Sequence, residues 1–163
     1  MMYLLDTNVF IEAKNRYYAF DLAPGFWDWL EADADAGVIG SIEEVNDELV
    51  AGADELAEWA RAHPDMFKSA DQQTALKLAE LATWASSGQF IQAAVDEFLD
   101  VADYYLVAHA AAHGRTVVTH EIYQSNARKR ILIPNACRAL GVPYCTTFTM
   151  LRSRSVRLDL GAA

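Results

Sequence analysis

Tyr3-Leu4-Leu5-Asp6-Thr7-Asn8 is the stretch on which the reading of the chain turns. Three apolar residues end at a carboxylate, and the helix-compatible run Val9 to Ala13 follows at once. In an open parallel sheet, ligands sit outside the carboxyl ends of the strands. A buried strand that ends in Asp6 therefore brings a charge to the mouth of the sheet. Thr7 and Asn8 are residue types that cap the following helix and hold Asp6 in place. The plainer alternative makes Asp6 itself nothing more than a helix cap. Later segments weigh against it, because they bring further acids to the same kind of position.

Val38-Ile39-Gly40-Ser41 reads as a second short strand, with Ser41 capping a helix and Glu44 three residues on, as in a capping box. That helix carries Val45, Glu48 and Leu49 and stops at Gly52. Asp103 opens an apolar helix that runs to His113 and ends at Gly114. Thr116-Val117-Val118-Thr119 is β-branched and reads as a central strand leading into His120-Glu121. Pro134 suits the first turn of a helix to Leu140, Val142 to Cys145 a last strand, and Thr146 to Arg152 a last helix. Further helices are expected over about 26–36, 53–62, 70–86 and 90–99. Strands alternating with helices predict an α/β fold, a three-layer α/β/α sandwich on a mainly parallel sheet. The expected organisation is one domain over residues 1–152 and a tail over 153–163.

A length of 163 residues suits one domain with a full core. A hydrophobic content of 53% with 22% charged residues excludes a disordered chain. No apolar run approaches ~18 residues and no basic segment precedes the first strand, so the expected location is cytoplasmic, with no membrane partner. Cys137 and Cys145 form no CxxC pair and read as small packing groups.

The net charge of −10 argues against a nucleic-acid partner, but its distribution argues for one. Residues 1–114 hold five Lys and Arg against 21 Asp and Glu, a balance of −16; residues 115–163 hold eight against two, a balance of +6. Clustered basic groups are an electrostatic footprint whatever the total charge. Arg128, Lys129 and Arg130 are the groups expected to hold a phosphate backbone, with Arg152, Arg154 and Arg157 as a second set. The alternative is a basic C-terminal face docked on the acidic remainder.

Asp6 and Glu121 thus end two strands, Glu48 lies inside a helix after a strand, Asp103 opens a helix, and none has an obvious cationic neighbour in sequence. Carboxylates gathered in one cleft repel each other and their pKa values rise. A hard divalent cation resolves the conflict, and oxygen-only donors favour Mg²⁺ or Mn²⁺.

These segments together resemble the PIN-domain ribonucleases. The similarity lies in Leu4-Leu5-Asp6-Thr7-Asn8, in Glu48-Leu49-Val50-Ala51-Gly52, in the run from Ala102-Asp103-Tyr104-Tyr105 to Gly114, and in Val117-Val118-Thr119-His120-Glu121. The closing IPNACRALGVPY (133–144) resembles a bacterial PIN-like subgroup of uncharacterised or toxin-type, VapC-like proteins. The resemblance spans nearly the whole chain. It implies that Asp6, Glu48, Asp103 and Glu121 are catalytic and metal-binding, with Asn8 and Thr119 supporting them. It further implies a Mg²⁺- or Mn²⁺-dependent endoribonuclease leaving 5′-phosphate and 3′-hydroxyl ends. The setting implied is the toxin of a toxin–antitoxin pair, with an antitoxin protein as partner and possible homodimers. Glu121 departs from the Asp more often found there, and residues 53–99 are longer and more helical than in the shortest toxins.

Other residues invite weaker readings. His109 and His113 have an i,i+4 spacing suited to zinc, but only alanines lie between them and packing is the plainer role. His120 reads as a loop histidine. Asp96, Glu97 and Asp100 extend the acid cluster or simply favour a helix N-terminus, and Glu44 is the acid placed to approach Glu48. Tyr17 and Tyr18 either stack on unpaired bases or join the core. Two rival functions are a phosphatase or phosphotransferase with Asp6 as nucleophile, which would want an Asp where Asn8 stands, and a non-catalytic RNA- or partner-binding PIN-like protein.

Overall fold

Residues 3–159 are described by the computed structural model. Its strands are β1 (Tyr3–Leu5), β2 (Ile39–Ile42), β3 (Phe67–Lys68), β4 (Thr116–Val118) and β5 (Tyr144–Cys145), all parallel, in the spatial order β3-β2-β1-β4-β5. β1 lies at the centre, and Leu4 and Leu5 have no exposed surface. Its residues are apolar without alternation, as a strand covered on both faces requires. The helices are α1 (Thr7–Glu12), α2 (Pro24–Asp35), α3 (Glu43–Ala51), α4 (Glu55–Ala62), α5 (Gln72–Ala85), α6 (Gln92–Leu99), α7 (Ala102–His113), α8 (Ile133–Leu140) and α9 (Thr147–Ser153). Together they make the expected α/β/α sandwich.

Local chemistry sets several of the helix ends. Asp54 and Asp71 accept the backbone N–H groups of Ala57 and Thr74 and so cap α4 and α5. Pro24 and Pro134 sit in the first turns of α2 and α8. Gly114 and Gly141 end α7 and α8 at φ +61° and +67°, a left-handed conformation that a side chain would resist.

Three local features differ from expectation. Ser41 does not cap a helix. It lies buried inside β2, where its hydroxyl donates to the Leu5 carbonyl at 2.6 Å, and α3 starts at Ile42 with no side-chain cap. β3 was not foreseen, because two residues carry no periodicity. After α1 the chain widens into a π-helical turn over Ala13–Tyr17. The aromatic stretch that follows divides: Tyr18 stacks on Phe26 and Phe20 on Trp27, while Tyr17 is 48% exposed. On α5, Leu81 and Ala85 enter the core and Leu76 faces outward.

The C-terminal segment is partly docked on acidic surface. Arg154 forms a two-pronged pair with Asp33 of α2, at 2.8 and 3.4 Å, and Val156 packs against the core. Residues 160–163 of the expected tail lie outside the described residues. No described helix is long and apolar enough to cross a membrane.

The chain leaves β1 for β2 on one side and, after β3, crosses to β4 on the other. Strand order therefore reverses around β1, and the crevice that such a reversal opens lies at the carboxyl ends of β1 and β4.

Candidate active site

Strand register places the first two site residues together. Leu5 pairs with Val118, so Asp6 and Thr119 are the next residues out on adjacent strands. The Thr119 hydroxyl donates to Asp6 Oδ2 at 3.1 Å and accepts the Glu121 backbone N–H at 3.1 Å. Asp6 occupies the N-cap position of α1 but makes no side-chain capping bond, and it is only 1% exposed. A buried carboxylate that also accepts the Thr119 hydroxyl of the neighbouring strand is not a simple cap. Asn8 is exposed, and its backbone N–H rather than its side chain favours the charged form of Asp6.

Glu48 approaches from α3 and is held at both oxygens. One accepts the Thr7 hydroxyl at 2.5 Å and the other the backbone N–H of Ala102 at 3.1 Å. Glu48 thereby joins the start of α1 to the start of α7 and satisfies one of the orphan amides there. The next residue, Asp103, lies in the first turn of α7 and lines a cleft of about 150 Å³ with Glu48, Glu97 and Arg130. Thr7, read from sequence as a cap, instead orients Glu48; nothing in the spacing of 41 residues announces that bond.

Glu121 is also held at both oxygens. Oε2 accepts the N–H of Ile133 at the start of α8, and Oε1 accepts Arg130 Nη2, both at 2.7 Å. No acid of the four has an obvious cationic neighbour in sequence, yet Glu121 gains one in space, because the loop between β4 and α8 folds back on itself. The same contact ties Arg130 to the acid cluster. Arg128 and Lys129 are exposed and make no ion pair among the described residues.

The four acids interact. Burial raises the pKa of Asp6 to about 7, helped by the charges of Glu121 and Glu48 and opposed by the Thr119 hydroxyl. Burial likewise raises Asp103 to about 8, followed by the charges of Asp6, Glu121 and Glu48, with Arg130 opposing. The pair therefore keeps a proton near neutral pH. No three His, Cys, Asp or Glu side chains among the described residues stand close enough to hold a metal ion as they are. The donor chemistry nonetheless fits a hard divalent cation, since it consists of oxygens only and includes a buried carboxylate, Asp6, and a half-buried one, Asp103, that a cation would relieve.

The remaining candidates fall elsewhere. His109 is buried, pushed down to about 4 chiefly by burial, and faces Thr74 Oγ1 at 3.4 Å; His113 lies 3.1 Å from Asp71. They brace α7 against α5. His120 faces Thr147 Oγ1 at 3.3 Å and neighbours Tyr17 and Phe148. Glu44, Asp47 and Asp100 line an adjoining cleft with Glu48, and Asp96 is bonded by Gln92. A larger cavity of about 390 Å³, beside Glu31, Trp59 and His63, contains none of the four acids. Cys137 is buried and Cys145 half-buried, both free.

A parallel sheet with strand order reversed around β1 and acids at that reversal defines a PIN-like fold. The chain belongs to the family described as a domain of unknown function (DUF4411), which matches residues 3–158. It is similar to a chain in the crystal structure of VapBC2 from Rickettsia felis bound to a DNA fragment from their promoter. Identity is 19% and the TM-score 0.54, with 90% of this chain and 98% of that chain covered. That likeness establishes a shared fold. No curated protein matches the chain.

Proposed function

We propose that the protein is a divalent-metal-dependent endoribonuclease and acts as the toxin of a toxin–antitoxin pair. The observation that carries the nuclease reading is the coupling of Asp6 and Asp103. Burial raises the pKa of both carboxylates at the crevice of a PIN-like sheet, the charge of Asp6 raises Asp103 further, and Glu48 and Glu121 add charge to both. The fold shared with a chain of a VapBC2 complex supports the toxin setting, with an antitoxin protein as partner, and homodimers and a cytoplasmic location follow from the same analogy.

Asp6, Glu48, Asp103 and Glu121 would hold Mg²⁺ or Mn²⁺. When bound, such an ion supplies water activation and charge stabilisation at phosphorus. The chain's own contribution is positioning. Thr119 fixes the rotamer of Asp6, Thr7 and the Ala102 N–H fix Glu48, and α7 presents Asp103 from its first turn. Arg128 and Lys129, exposed on the loop before α8, are placed to hold phosphates of a single strand.

The test is cleavage of single-stranded RNA by purified protein in Mn²⁺ and in EDTA, beside Asp6→Asn and Asp103→Asn. Cleavage in Mn²⁺ by the unaltered chain alone is expected. Equal cleavage by both variants, or in EDTA, would sink the nuclease assignment. Growth arrest on expression, relieved by a co-expressed neighbouring gene, tests the toxin setting separately.

A further inference from the structure

We propose that Arg130 is a built-in counter-cation of the acid cluster, which releases Glu121 when a divalent metal is held there and then turns to a substrate phosphate. The inference rests on the metal-dependent reading above. Both carboxylate oxygens of Glu121 accept a hydrogen bond, one from the Ile133 N–H and the other from Arg130 Nη2 at 2.7 Å. The positive charge of Arg130 at Oε1 disfavours a cation at that oxygen for as long as the pair lasts.

The arrangement is built for a side-chain swing rather than a loop movement. The backbone around Arg130 is anchored on both sides: Ile91 N–H donates to the Arg128 carbonyl at 3.0 Å, Gln89 Nε2 to the Ala127 carbonyl at 3.2 Å, and Asn135 Nδ2 to the Gln124 carbonyl at 2.8 Å. The Arg130 side chain is 61% exposed against 12% for Glu121. An exposed partner in an ion pair is held weakly and leaves readily, while the less exposed carboxylate stays in place. Arg130 lines the same cleft as Glu48 and Asp103, so the freed guanidinium remains over the site. Its planar fork of N–H donors matches a phosphate in a way that a lysine would not.

The experiment titrates Mn²⁺ into the full chain by calorimetry, without RNA, comparing the unaltered protein with Arg130→Gln, Arg130→Lys and Arg128→Gln. Arg130→Gln should bind Mn²⁺ about tenfold more tightly, the scale of one unit charge removed near a protein surface. Arg130→Lys should fall between, and Arg128→Gln should match the unaltered chain. In EDTA, Arg130→Gln should melt lower, and that difference should vanish in a Glu121→Gln background. At saturating Mn²⁺, its KM for RNA should rise. Tighter metal binding with weaker RNA binding is a split that a merely structural arginine would not produce. Equal or weaker Mn²⁺ binding by Arg130→Gln overturns the inference and leaves the metal reading standing. No Mn²⁺ binding by any form overturns both, and an unchanged KM removes the phosphate role.

Discussion

Thr119 reaches across 113 positions of sequence to bond Asp6, and the same hydroxyl oxygen accepts the backbone N–H of Glu121. One hydroxyl thereby ties β1, β4 and the loop carrying a second acid. Thr119→Val removes both bonds at a site 1% exposed and leaves a buried carboxylate and an amide without these partners. The expected cost is about 1–3 kcal/mol, read by denaturant melts. RNA cleavage should fall more than stability does, because Asp6 loses its fixed orientation. A variant as stable and active as the parent would show that the hydroxyl positions nothing.

Stability without metal should fall as pH rises through neutrality. Asp6 and Asp103 have folded pKa values of about 7 and 8, above the roughly 3.9 of an unfolded aspartate. Between those limits the folded chain binds more protons than the unfolded chain, so unfolding free energy decreases with pH. The favourable contribution is complete below about pH 4 and lost by about pH 8. Melting in EDTA across this window should show the slope, and Asp6→Asn should flatten it while raising the melting point at pH 8. A flat profile in the parent would contradict the buried, crowded carboxylates.

Metal addition should reverse that loss. A ligand bound only by the folded state stabilises by about 2.7 kcal/mol at a concentration 100 times its dissociation constant. Because the cation replaces protons, the gain in melting temperature with Mn²⁺ should be larger at pH 8 than at pH 6, and EDTA should abolish it. Equal gains at both pH values, or a gain retained by Asp6→Asn with Asp103→Asn, would place the ion elsewhere.

The exposed pair Arg128 and Lys129 should act through phosphate alone. If each neutralises one phosphate, the double glutamine variant should weaken RNA binding across sequences and flatten the log–log salt dependence by about 1.4. Its Mn²⁺ affinity should not change. Normal RNA binding with loss of a dimer or protein partner would reassign the segment to assembly.

Much of the frame was legible because strand ends announce themselves. The apolar runs before Asp6 and Thr119 stop at polar residues, and Gly114 and Gly141 mark the helix ends that precede β4 and β5. Ser41 misled because a serine before an acidic helix start fits a cap, whereas its hydroxyl has a nearer acceptor in the Leu5 carbonyl, visible only once strands are paired. The two residues of β3 are too few for any pattern. Glu121 carries the same lesson at the site: its partners Arg130 and Ile133 lie nine and twelve residues on, and only the return path of the loop brings them back. The bond from Thr7 to Glu48 likewise depends on how α3 packs against α1, which no local signal encodes.

The position of β1 also governs when the molecule can come into being. Its partner β4 lies 113 residues downstream, so a ribosome must finish most of the message before the central strand has both neighbours. At about 5–20 residues per second, that interval lasts on the order of ten seconds. By residue 114 the nascent chain holds Asp6, Glu48 and Asp103 and a surplus of 16 negative charges but still lacks Thr119 and Glu121. The fourth acid of the cluster, Glu121, is added only when about three quarters of the chain has been made.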